Sequence, residues 1–151
     1  MRTLFLLSLV NALLLLPGAG WSGQGGWGGQ GWNNGWGSVV QYRGGGRGDF
    51  NWQRGPNYKL RGVQVTMDRA KGLVDVAFDT NAGPNTLSFT GRIRRVNGDT
   101  VEADIISCRH LNRGVQSRGV LRLRVAGNRR VQMVDVSGDI NNGQFNLNWR
   151  G

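Results

Sequence analysis

Few residues in this sequence can do acid–base or nucleophilic chemistry, and none is spaced for it. There is one His (His110), one Cys (Cys108) and, among nine acidic residues, a single Glu (Glu102). General acid–base and glycosidic chemistry need a positioned pair of titratable groups. The carboxylates Asp75, Asp79, Glu102 and Asp104 are scattered over strands and strand ends in the alternation described below, and Glu102 is expected opposite Arg92 as a cross-strand ion pair. No phosphate-binding loop, nucleophile elbow or His–carboxylate pattern occurs. Cys108 and His110 stand two residues apart, but two ligands without an acidic companion do not make a metal site. The expectation is a non-enzymatic chain with no metal and no cofactor. Cys108 is expected to be a small buried residue at a strand end. The competing expectation is an odd thiol that links two copies in an oxidising compartment.

Arginine supplies the chemistry that remains. Seventeen of the 19 basic residues are Arg, and the net charge is +10. A planar guanidinium donates two parallel hydrogen bonds to a carboxylate, phosphate or sulfate, which the ammonium of Lys does not. Between Asp104 and Asp135 there is no acidic residue but seven Arg: Arg109, Arg113, Arg118, Arg122, Arg124, Arg129 and Arg130. Arg92 and Arg94 lie one hairpin earlier, and strand alternation puts them on an outer face, as it does Arg122 and Arg124. The segment Cys108–Arg118 is expected to be a loop that adds the rest at one end. Singly, each is a solvated charge that blocks edge-to-edge aggregation. Together the nine create a field that attracts polyanions. The candidate partners are an anionic polysaccharide, lipopolysaccharide phosphates or extracellular nucleic acid. No aromatic residue alternates with these Arg, so a base-stacking platform is not indicated.

The elements that carry these residues fall into three parts. Residues 1–20 read as a signal peptide, with Arg2, an apolar run to Leu16 and the small-residue exit Pro17-Gly18-Ala19-Gly20 before Trp21. The apolar run is shorter than the roughly 20 residues needed to span a bilayer. The chain is therefore expected to be exported, periplasmic or extracellular and associated with the cell surface, with no transmembrane segment after cleavage. Residues 21–57 form a low-complexity arm with thirteen Gly in 37 residues, which is expected to be mostly flexible. Its tryptophans Trp21, Trp27, Trp32 and Trp36 fit neither a helix nor a strand period. They suit apolar or sugar contacts, or self-association; the bland alternative is a spacer. Arg43-Gly-Gly-Gly-Arg47-Gly48 is a single RGG-like unit, and Arg47-Gly48-Asp49 is a three-letter match that Gly/Arg-rich composition explains. Residues 48–55 echo 144–151, which hints at an added edge strand over 49–53.

Residues 58–151 show period-two alternation with no convincing helix. The strands are predicted at 59–67, 72–79, 86–96, 100–107, 117–126, 130–137 and 143–149. Parity tests their register, because opposed residues of a hairpin share a face. Val63, Val65 and Met67 should share a face with Val74, Val76 and Phe78, as the even, four-residue loop 68–71 allows. Ile93 should face Val101, and Phe89 should face Ile105, across a three-residue loop at Val96-Asn97-Gly98. Leu121, Leu123 and Val125 should match Val131 and Met133, whereas the last strand needs Val134 and Val136. The strand at 130–137 must therefore change its apolar face near Met133, as at a β-bulge. About seven antiparallel strands indicate an all-β domain, a small sandwich or closed barrel. The functional expectation is an exported domain that binds an anionic envelope or extracellular polymer through arginine. The alternative is a structural or matrix protein that self-associates through the Gly/Trp arm.

Overall fold

A computed structural model describes residues 39–151; residues 1–20 and Trp21, Trp27, Trp32 and Trp36 lie outside the described residues. Nine strands follow one another without a helix among them: β1 (Val39–Trp52), β2 (Tyr58–Asp68), β3 (Leu73–Thr80), β4 (Gly83–Asn97), β5 (Thr100–His110), β6 (Arg113–Val115), β7 (Ser117–Val125), β8 (Val131–Ile140) and β9 (Gly143–Arg150). The sheet order is β4-β3-β2-β1-β9-β8-β7-β5-β6, and an additional pairing of β4 with β5 joins its ends. Eight strands thus close an antiparallel barrel, and the short β6 continues the line of β7 beside the end of β5. Closure leaves none of the eight with an open edge.

Alternation fills the interior. Even-numbered residues of β1 and odd-numbered residues of β9 point inward, and Phe50, Phe78, Phe89, Leu121, Leu147 and Trp149 are fully buried. Phe89 and Phe145 stack with centroids 5.4 Å apart, and Phe50 stands 5.8 Å from Phe145. Such a packed centre is the rule in small barrels. With the interior occupied by side chains, the outer face and the two ends are the surfaces the barrel exposes.

Two register expectations hold. Val63, Val65 and Met67 oppose Phe78, Val76 and Val74, and Val134 and Val136 oppose Trp149 and Leu147. The change of face in β8 is a bulge: Val125 pairs with Val131 and Arg124 with Met133, so Gln132 is the extra residue. Leu123 consequently meets Val134 and not Met133.

Three expectations are corrected. The arm does not extend to residue 57: Val39–Trp52 is β1, which pairs with both β2 and β9 and closes the barrel, so it is no edge strand. Its low aliphatic content misleads because Gly44, Gly46 and Gly48 occupy inward positions that the Trp149 ring and the β9 backbone fill from the other side. Trp149 Cη2 lies 2.6 Å from where a Gly44 side chain would begin. The hairpin between β4 and β5 turns on Gly98-Asp99 alone, with Asn97 opposite Thr100. Two bulges follow, so that Val96 faces Val101, Ile93 faces Ala103 and Phe89 faces Cys108; Glu102 stands opposite Arg95, not Arg92. Finally, Cys108–Arg118 is not a loop. Cys108, Arg109 and His110 end β5, Leu111-Asn112 is a two-residue turn, and Arg113–Val115 is β6.

Candidate functional site

The outer face is best followed across strands, because opposed residues on neighbouring strands share it. One continuous row runs Arg95, Glu102, Arg122, Asp135, Asn148, Asp49, Lys59 over β4, β5, β7, β8, β9, β1 and β2. Its charges alternate in sign from Arg95 to Asp135 and again from Asp49 to Lys59, with neutral Asn148 between the two acids. Arg122 Nε donates to Glu102 at 3.1 Å, and Lys59 donates to Asp49. Arg94 reaches both Glu102, at 3.8 Å, and Asp104, at 3.4 Å. Farther along β7, Arg118 Nε meets Asp139 at 3.2 Å. These pairs are largely solvated, and each contributes about 0–1 kcal/mol. Their importance here is to local charge: Arg94, Arg118 and Arg122 each already face a carboxylate.

A second row lies nearer the β7–β8 turn, and it has a different balance. Arg124, Met133, Arg150 and Arg47 succeed one another over β7, β8, β9 and β1. Arg150 holds Asp135 bidentately at 2.7 and 3.1 Å. Arg43, four residues before Arg47 on the same face of β1, forms a parallel bridge with Arg130. Arg43, Arg47, Arg124 and Arg130 have no ion-pair partner among the described residues. Like charges directly opposed across strands, as at Arg47 and Arg150, cost stability. Gly45, between Arg43 and Arg47, faces outward with open space around it. A cleft of about 750 Å³ adjoins the patch, lined by Arg43, Arg130, Gln64, Asn85, Asn128 and Gln132, with Asp79 on its far side.

The other arginines of the expected set stand elsewhere. Arg92 is exposed and opposite Asp104 without an ion pair. Arg109 and Arg113 lie on the β5–β6 hairpin at the opposite end of the barrel from the β7–β8 turn. Arg129, in that turn, bears electrostatically on Tyr42. Arg92, Arg94, Arg122 and Arg124 do share one outer face, but β5 lays Glu102 and Asp104 between β4 and β7. Arg43, Arg47 and Arg150 were not among the expected residues. The signal for the first two was present in the even-numbered Val40, Tyr42, Phe50 and Trp52, a strand alternation interrupted only by Gly.

The titratable groups are held by burial. Tyr58 donates to or accepts from His110 Nε2 at 2.7 Å, and Trp52 sits edge-on to the same imidazole. Burial lowers the His110 pKa and raises that of Tyr58. Cys108 is 1 % exposed and unpaired in a disulfide, and burial pushes its thiol up to about 12. A thiol so placed is neither a nucleophile nor accessible to a second chain in the native state. No protein-family model matches the chain, and no curated protein or solved structure is detectably similar to it.

Proposed function

We propose that this is an exported, non-enzymatic β-barrel protein that docks on an anionic envelope or extracellular polymer through arginine. The observation that carries the reading is that Arg124, Arg150 and Arg47 fall in one row with Arg43 and Arg130 bridged nearby, and that of these five only Arg150 holds a carboxylate, Asp135. Arginines carried on adjacent strands, whose backbones run roughly 5 Å apart, suit the repeated phosphates, sulfates or carboxylates of a polymer better than one small anion. The absence of any side chain on Gly45 gives such a chain room to lie between Arg43 and Arg47. Export is supported by the composition of residues 1–20.

The test is retention of the chain from Trp21 onward on immobilised heparin, lipopolysaccharide and duplex DNA as salt is raised. Binding to at least one should weaken steeply with salt, because a polyanion releases condensed counterions when arginines replace them. Replacing Arg43 and Arg47 by Ala should lower the salt slope by about 2, roughly one for each guanidinium removed. Replacing Arg94 and Arg122, which already face carboxylates, should change it by much less. Equal elution of the Arg43/Arg47 variant and the parent would overturn the reading. So would retention that depends on residues 21–38 and persists at high salt, which is the behaviour of tryptophan-driven association.

A further inference from the structure

A different part of the outer face is nearly free of charge and is lined mainly by amide and hydroxyl side chains. Across β8, β9 and β1, Ser137 opposes Asn146, which opposes Asn51. One row on, Asp139 opposes Gln144, and the backbone N–H of Gln53 donates to the Gln144 carbonyl at 2.9 Å. These side chains form a grid of three strands by two rows. The β1–β2 loop walls it at one side, leaving a cleft of about 640 Å³ that Trp52 also lines. Neither Arg nor Lys lines this cleft, although the described residues carry eighteen basic side chains, the 19 of the whole chain less Arg2. The one charge in the grid, Asp139, is met by Arg118 from outside it.

We infer that this amide grid binds an uncharged polysaccharide. The argument is one of elimination by chemistry. An anion would meet amide carbonyls and the Asp139 carboxylate, with no lining cation to receive it. A hard cation needs several oxygen ligands, and the grid offers one carboxylate already engaged by Arg118. An apolar ligand would leave the amide and hydroxyl side chains of the grid without partners, which costs affinity. A sugar hydroxyl both donates and accepts, and so does a carboxamide. Asn51 Nδ2 donates to Asn146 Oδ1 at 3.2 Å, which fixes both side chains and leaves the Asn51 oxygen and the Asn146 amino group directed to other partners. Neighbouring strands repeat at roughly 4.8 Å, close to the width of a pyranose ring. Trp52 is held by its Nε1 donating to the Ile140 carbonyl at 3.2 Å and by its backbone N–H donating to Asn57 Oδ1 at 2.9 Å. Both bonds fix the rim of the cleft, while the indole itself points inward against His110, so sugar recognition rests on the amide and hydroxyl side chains. The inference does not depend on the arginine patch, which lies toward the other end of β1.

The experiment is titration of the isotopically labelled chain from Trp21 onward with three uncharged hexasaccharides: cellohexaose, chitohexaose and maltohexaose. The side-chain amide resonances of Asn51, Gln144 and Asn146 report directly. At least one hexasaccharide should shift them, with a Kd on the order of 1 mM, about −4 kcal/mol, and molar salt should leave the shifts unchanged. The Asn51→Ala/Asn146→Ala variant should bind at least tenfold more weakly while its remaining backbone resonances stay in place. Absence of shifts at this cleft with all three, shifts centred elsewhere, or unchanged binding by a folded double variant would each overturn the inference. If the variant does not fold, mapping on the parent decides alone. Heparin in a parallel titration separates the two sites, because it should move resonances around Arg43 and Arg47 and leave the amide grid still.

Discussion

The three consecutive glycines of β1 are identical in sequence and unlike in structure, so single methyl groups added to each should have three different consequences. Gly45 faces solvent, and a Cβ there meets nothing within 4 Å. Gly in a strand interior is worse than Ala by roughly 0.5–1 kcal/mol through backbone entropy, so Gly45→Ala should stabilise by about that amount. Gly44 faces inward, where the new methyl would stand 2.6 Å from Trp149 Cη2 and 3.2 Å from Val131 Cβ. The Val131 backbone carbonyl also stands at 3.2 Å, and the fully buried Trp149 ring yields only by disturbing its packing. Overpacking costs of about 1–3 kcal/mol, less the entropy gain, leave a net loss of about 1–2 kcal/mol. At Gly46 the methyl would overlap the backbone carbonyl of Arg150 and stand 2.7 Å from Trp149 Cζ2. That carbonyl belongs to the seam in which Arg47–Trp52 pair with Arg150–Phe145, and a backbone group held there cannot rotate aside. The loss should be about 3 kcal/mol or more. At about 4 °C per kcal/mol for a domain of this size, thermal unfolding should rise by about 2–4 °C for Gly45→Ala and fall by about 12 °C for Gly46→Ala. Trp149→Phe removes the ring atoms that Gly44→Ala would strike, so the two changes combined should cost less than their sum. Equal effects at all three glycines, or strict additivity of that pair, would refute the account of why this segment is glycine-rich.

Two further outcomes follow from the end of the barrel where β5 turns into β6. Leu111 has φ of 50°, in a turn with Asn112 at 62°, the same geometry that Asn141 and Asn142 adopt at 48° and 62° between β8 and β9. An L-residue without a small polar side chain pays roughly 1–2 kcal/mol there, so Leu111→Asn should stabilise by about 1 kcal/mol in urea unfolding, whereas Asn141→Leu should do the reverse. His110 is partly buried and hydrogen-bonded to Tyr58, and its pKa lies below the ordinary value. The unfolded chain then binds the proton more readily than the native one. Stability should be complete above about pH 6.5 and fall as the pH drops through the native pKa. His110→Gln should flatten that decline in unfolding midpoints measured across pH 4 to 8.

How much of this fold was legible depended on whether a strand carried its own apolar signal. β2, β3 and β9 alternate with Val, Leu, Phe and Trp, and parity alone set Val63, Val65 and Met67 against Val74, Val76 and Phe78, and the last strand against Val134 and Val136. The bulge in β8 was legible too, because Val131 and Val134 cannot share a face without one. β1 was not, since its inward positions 44, 46 and 48 are empty of side chains and the residue that fills the space, Trp149, is about a hundred positions away. The β4–β5 hairpin failed for a related reason. A two-residue turn followed by a bulge gives Ile93 an odd-numbered partner, as a three-residue loop would. Only the short stretch before the bulge, where Arg95 pairs with Glu102, tells the two apart.

The arginine-rich stretch from 105 to 134 illustrates a general hazard of reading charge along a chain. In a closed barrel each strand has two neighbours, and what surrounds a side chain is set by register. β7 carries Arg118, Arg122 and Arg124 with no acid of its own, yet β5 brings Glu102 against Arg122, and β8 brings Asp135 and Asp139 opposite Arg122 and Arg118. Arg118 and Arg122 are thereby neutralised by the strands that flank β7, whereas Arg124 and Arg130 of the same run are not. The reverse holds for β1, where Asp49 follows Arg47 by two residues but is taken by Lys59 of β2. Arg43 and Arg47 instead find Arg130 and Arg150 across their seams. Local potential is a sum over neighbours in space. The arginines without a carboxylate partner therefore converge where β1, β9 and the β7–β8 turn meet, and a linear count of charges picks out only the part of them contributed by Arg124 and Arg130.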